Sequence, residues 1–106
     1  MEQRRGRAWM ALVSECKQTY PWTCHLCGQA IPVGAHKDDP LAYQVDHIYP
    51  VSTHPHLVRV LANCRPSHRQ CNNYRKARPL TPALVAEVTA KFAPLTVRPA
   101  LEWFAP

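Results

Sequence analysis

Glycine is scarce in this chain, with three residues in 106, and so is acidic charge, with seven Asp and Glu in all. Few glycines leave few positions free for left-handed backbone, so each one marks a place where the chain needs it. Long hydrophobic runs are missing too. Nothing approaches the roughly 18 consecutive apolar residues of a membrane-spanning helix, so no membrane partner is expected. The charged stretch Met1–Arg7 is followed by no long apolar segment, so no signal peptide is expected and the cytoplasm is the expected location. Internal repeats and low-complexity tracts are also absent. Even a balanced cysteine count is lacking: five cysteines fit an all-disulfide framework poorly, and in a reducing compartment they read better as metal ligands.

Eleven prolines cut the chain into short segments, and 106 residues suffice for one small domain with a modest core. Domains of this size usually need a staple, either disulfides or a metal. Thirteen Lys and Arg give a formal charge of +6, which favours a polyanionic partner such as nucleic acid. A merely soluble basic protein is the alternative at this level.

Residues 4–19 read as a helix, with Ala8, Leu12 and Cys16 on one i, i+4 path and Trp9 and Val13 beside it. Tyr20-Pro21 closes it, because the residue before a proline is pushed out of the helical region. Residues 22–42 form a loop-rich knuckle. Tyr43–Ile48 reads as a strand and Leu57–Leu61 as a second, with a loop over 51–57 that carries His54 and His56 as solvent-facing residues. The segment 67–77 reads as a short helix. Thr81 then caps a helix that has Pro82 at its first position and Leu84, Val85, Val88 and Phe92 on its apolar face, up to Ala93-Pro94. Trp103 and Phe104 are expected to pack back onto the body. The core is placed at about 20–78, flanked by the two outer helices.

Cys24-His25-Leu26-Cys27-Gly28 has the form of a metal knuckle, and His68-Arg69-Gln70-Cys71 repeats the two-residue gap further along. Together Cys24, Cys27, His68 and Cys71 offer three sulfurs and one imidazole, a common tetrahedral set for structural Zn²⁺. His25 is the competing fourth ligand, and a redox dithiol at Cys24 and Cys27 is the competing chemistry. Cys16 and Cys64 fall outside the paired spacing and read as packing residues.

Between the two half-sites lies Val45-Asp46-His47-Ile48-Tyr49-Pro50. This segment, the first cysteine pair, Asn63 and the run from His68 through Cys71 and Asn72 to Arg75 together resemble the HNH nuclease family, over roughly residues 5–78. The nearest likeness is to its small zinc-containing members from bacteriophages and prophages. The resemblance implies an α+β chain with a ββα-metal fold, two short strands and a helix around one catalytic cation. It also implies that His47 is the general base, Asp46 and Asn72 bind the cation, and Asn63 is the central Asn of an HNN variant. DNA would be the substrate and the phage terminase a partner. The loop Ser52-Thr53-His54-Pro55-His56 replaces the Gly-Gly turn that relatives often carry.

The residue types suit the chemistry in their own right. A carboxylate and an amide oxygen fit a hard cation such as Mg²⁺, with Mn²⁺ or Ni²⁺ as substitutes. Histidine titrates near neutrality and can take a proton from an attacking water. Asn63 is expected to hold either the loop or the imidazole, and Arg75, on the helix face of Asn72, to add charge in the transition state. Asp46 and His47 are neighbours and would point to opposite faces of a regular strand, so the strand is expected to end or bulge there. Arg4, Arg5, Arg7, Arg59, Arg65, Arg69, Arg75, Lys76 and Arg78 form the expected phosphate-contacting surface. The rival function is a non-catalytic zinc-ribbon module that binds DNA.

Overall fold

The first helix, α1 (Gly6–Thr19), buries Leu12 and Cys16 one turn apart and half-buries Trp9 and Val13, while Ala8 stays exposed. The stripe that meets the body therefore runs through Trp9 rather than Ala8. The helix closes with Tyr20 N–H on the Cys16 carbonyl at 3.1 Å, immediately before Pro21. This computed structural model describes residues 4–103, with side chains as far as residue 92.

The knuckle doubles back on itself through Cys24 N–H to Gln29 O and Ile31 N–H to Trp22 O, each 2.8 Å. Gly28 makes the turn possible at φ 79, where a side chain would be strained. Strand β1 (Tyr43–His47) pairs antiparallel with β2 (Cys64–His68), with Tyr43 opposite His68 and His47 opposite Cys64. The second strand thus lies at 64–68, and the expected strand at Leu57–Leu61 does not form. That stretch is two short 3₁₀ turns, Pro55–Leu57 and Leu61–Asn63, with Val58 buried between them. Its β-forming composition lost to tertiary context. Pro66 is tolerated because a two-stranded ribbon leaves each strand one open edge. Its carbonyl takes the His25 N–H at 3.0 Å, which ties the knuckle to the ribbon.

Helix α2 (Arg69–Arg75) follows β2 directly, and α3 (Pro82–Trp103) packs across it. Thr81 Oγ1 accepts the Leu84 N–H at 3.1 Å, the expected N-cap. Leu84 and Val88 are buried against Cys24, Leu26, Cys27, Ile31 and Cys71, so α3 seals the cysteine cluster. Arg78 meets Glu87 at 2.9 Å, and Phe92 stands edge-on to Tyr74 at 5.6 Å. The helix does not stop at Ala93-Pro94 as expected but runs to Trp103. An interior proline removes a hydrogen bond and disfavours a helix without forbidding it. The expected packing of Trp103 and Phe104 lies outside the described side chains. The result is a small α+β arrangement of two antiparallel strands and three helices, and no helix among the described residues is long and apolar enough to cross a membrane.

Candidate metal centre and the cleft beside it

The ligand atoms of Cys24, Cys27, His68 and Cys71 all lie within 4.8 Å of one another, and all four residues are buried. Three elements deliver them: the knuckle, the end of β2 and the first turn of α2. His68 Nε2 donates to the Ala30 carbonyl at 2.8 Å, which turns Nδ1 toward the sulfurs as the nitrogen a metal would take. Nδ1 is the atom that faces the sulfurs, 3.3 Å from Cys27 Sγ and 3.8 Å from Cys71 Sγ. This is the outer hydrogen bond that fixes a ligating histidine in its tautomer. Cys24 is held below the usual thiol range by hydrogen bonds from Cys27 and Cys71, so the cluster carries thiolate charge. Three sulfurs and one imidazole at this spacing can hold a metal such as zinc.

The other two cysteines behave differently. Burial pushes the Cys64 thiol up to about 12 and raises Cys16 as well, so both remain protonated apolar filler. They pack with Leu12 between α1 and the ribbon, as their spacing suggested.

His25 is not part of the cluster. A knuckle turns the residue between its ligands outward, and His25 Nε2 reaches Asp46 Oδ2 at 2.7 Å instead. The same oxygen accepts from Arg75 Nη1 at 2.7 Å. Burial pushes the Asp46 carboxyl up, but His25 and Arg75 outweigh it and hold the group below the usual carboxylate range. Both partners use Oδ2, and Oδ1 has no hydrogen bond among the described residues.

Asp46 and His47 are the last two residues of β1, so the strand ends there as expected, and both are buried. They line one cleft of about 600 Å³ together with Asn72, Arg75 and Lys76. No cluster ligand lines it. His47 Nε2 donates to the Val58 carbonyl at 2.9 Å, which leaves Nδ1 as the basic nitrogen. Burial lowers the imidazole pKa, only partly offset by the Val58 carbonyl and the Asp46 charge, so the ring is neutral at physiological pH. Trp9 stacks on it at 5.8 Å and 28°. Asn72 Nδ2 donates to Gln44 Oε1 at 2.9 Å, and its own oxygen has no hydrogen bond among the described residues.

Asn63 takes one of its two expected places, and Arg75 faces inward. Asn63 holds the loop and not the imidazole: its side chain accepts from Tyr49 N–H at 2.8 Å and donates to the Tyr49 and Leu57 carbonyls at 3.1 and 3.3 Å. Arg75 shares the cleft with Asn72 but is 1% exposed. Besides Asp46, it donates to the His47, Ile48 and Arg78 carbonyls. A guanidinium so committed clamps the end of β1.

Several of the arginines expected to contact phosphate are likewise engaged inside the chain. Arg65 lies over the Tyr20 ring at 4.5 Å and donates to its hydroxyl at 2.8 Å. Arg78 pairs with Glu87. The cations that line the cleft are Arg4, Lys76 and the committed Arg75. His54 bonds Thr53 Oγ1 at 2.8 Å and His56 is exposed, and neither lines the cleft. Sequence reasoning missed His25 on Asp46 and Trp9 on His47. Neighbouring Cys24 made His25 look like a spare zinc ligand, and helix periodicity made Trp9 look like core. In comparisons with known proteins, the chain matches no family model, no curated protein and no solved structure.

Proposed function

We propose that this chain is a metal-dependent endonuclease of the HNH kind that hydrolyses the phosphodiester backbone of DNA, with a ββα-metal core held by structural zinc. One observation carries the reading. In a single cleft, a neutral imidazole with a free ring nitrogen stands with two side-chain oxygens, Asp46 Oδ1 and Asn72 Oδ1, that no partner among the described residues occupies. A carboxylate and an amide oxygen suit a hard divalent cation that keeps several of its waters. Held there, Mg²⁺, Mn²⁺ or Ni²⁺ would supply positive charge for the phosphoryl oxygens and the departing oxygen.

The chain's own part is proton transfer and positioning. His47 Nδ1 takes a proton from water as the water oxygen bonds to phosphorus opposite O3′. The P–O3′ bond breaks, O3′ leaves with the electron pair and is protonated from solvent, and the products are a 5′-phosphate and a 3′-hydroxyl. The Val58 carbonyl fixes the tautomer of His47, Trp9 supports its ring, and Asn63 holds the loop that carries that carbonyl. Arg75 holds Asp46 and the His47 backbone in place.

A plasmid-nicking assay with Mg²⁺, Mn²⁺ or Ni²⁺, run beside His47→Ala, tests the reading. Cleavage by the parent protein and its loss in the variant are expected. Equal cleavage by both, or by neither, overturns the reading in favour of a zinc-bearing DNA-binding module.

A further inference from the structure

After α2 the chain reverses through residues 75–78, closed by Arg78 N–H on the Arg75 carbonyl at 3.3 Å. Lys76 occupies φ 58, ψ −132 in this turn. That is the backbone setting of the first central residue of a type II′ turn, a place glycine takes freely and a side chain takes under strain. Among the described residues, every other positive φ belongs to a glycine. Strain of this kind persists where the side chain it positions has work to do.

The work is visible in the surroundings. Lys76 lines the cleft with Asp46, His47 and Asn72, and its side chain is exposed. Its ammonium has no ion-pair partner among the described residues. Its neighbour Arg75 is committed to Asp46 and three carbonyls. Beside Arg4, Lys76 is thus an exposed cation of the cleft whose charge is open to a ligand. A second, smaller hollow shares Arg4, Val45 and Asn72 with the cleft and continues it past Lys17 and Tyr43, so an extended polyanion has room beyond the cleft.

We infer that Lys76 is the phosphate ligand of the cleft: its ammonium pairs with a backbone phosphate of a nucleic acid bound there, and the strained turn is kept because it puts that ammonium in place. The inference rests on the reading of the cleft as a nucleic-acid site, but not on cleavage.

The test compares Lys76→Gly, Lys76→Met and Lys76→Arg with the parent, all zinc-loaded. Thermal melting is read first, then anisotropy of a short fluorescein-labelled DNA duplex across a salt series, with Ca²⁺ in place of the catalytic cation. Lys76→Gly relieves the turn and should melt roughly 4–8 °C higher. Its affinity for the duplex should fall about five- to tenfold at low salt, and the slope of log Kd against log salt should shrink by about 1. Lys76→Met should show the same binding loss without the gain in melting temperature, and Lys76→Arg should keep the binding. Unchanged affinity and salt slope in the Gly and Met variants overturn the inference, and so does a parent protein that fails to bind the duplex. A Gly variant no more stable than the parent overturns the strain half. If His47→Ala still cleaves while these binding shifts appear, the nuclease reading falls and the Lys76 contact stands.

Discussion

Replacing Arg75 with methionine keeps the volume of a buried side chain and removes its guanidinium, which exposes how much of the site hangs on that group. Its ion pair with Asp46 is almost fully enclosed, with side-chain exposures of 1% and 7%, so solvent screening discounts it little. Breaking one side of a buried pair costs about 3–5 kcal/mol, because a carboxylate is left with too little compensation. Here His25 still reaches Asp46, which pulls the figure to the lower end, while the orphaned His47, Ile48 and Arg78 carbonyls pull it back up. A loss of about 4 kcal/mol is a large part of the roughly 5–15 kcal/mol that holds a small domain together. Urea unfolding of the zinc-saturated protein, followed by far-UV circular dichroism, should show a midpoint lowered by roughly 1.3–4 M, given slopes of about 1–3 kcal/mol per molar for small proteins. A double-mutant cycle with Asp46→Asn should return a coupling of at least about 1.5 kcal/mol. A loss below about 1 kcal/mol with no coupling would refute the reasoning. In that case Arg75 is no clamp, and its charge is free for the substrate after all.

Removing zinc with a chelator should unfold the protein, since ligand-bound zinc contributes on the order of 10–16 kcal/mol in comparable sites, and Cys71→Ser should lower zinc affinity in a chromophoric-chelator competition. Because the thiols must be deprotonated, zinc affinity should fall as pH falls. Cleavage should depend on neutral His47, whose pKa lies below its ordinary 6.5. The rate should therefore rise with pH through a midpoint under 6.5 and stay level at neutrality, and a midpoint above 7 in the pH–rate profile counts against His47 as base. The sign for stability agrees: a histidine whose folded pKa is depressed stabilises the fold above about pH 6.5, and that contribution is lost as pH falls through the folded value. Asn63→Ala removes three side-chain hydrogen bonds from a buried site and should cost about 2–3 kcal/mol in urea unfolding; a cost under 0.5 kcal/mol would mean the loop does not need it.

What could be read from the chain was whatever rests on local pattern. The first helix shows in its apolar spacing, the cap in Thr81-Pro82, and the metal quartet in two matching gaps. Asp46 and His47 could be placed at a strand end because two neighbours on one site require it. The second strand could not be placed. Leu57–Leu61 carries the better β-formers, yet the ladder forms at Cys64–His68, where a proline sits, because the cluster and the side chain of Asn63 hold that segment in place. Arg75 was on the right helix face, but four acceptors converging on one guanidinium are a tertiary fact with no spacing to announce it. The partnership of His25 with Asp46 spans 21 residues and was hidden by the adjacent ligand.

The ribbon joining the two sites has a further consequence. It has five paired positions, its second strand is Cys-Arg-Pro-Ser-His, and the connection between the strands is far too long to dictate how they align. A slip of one residue in such a ribbon turns every side chain to the wrong side. It would take His68 from the sulfurs and move His47 off its alignment with Cys64 in a single step. A metal held by the cluster at one end would thus work as an alignment pin for the other.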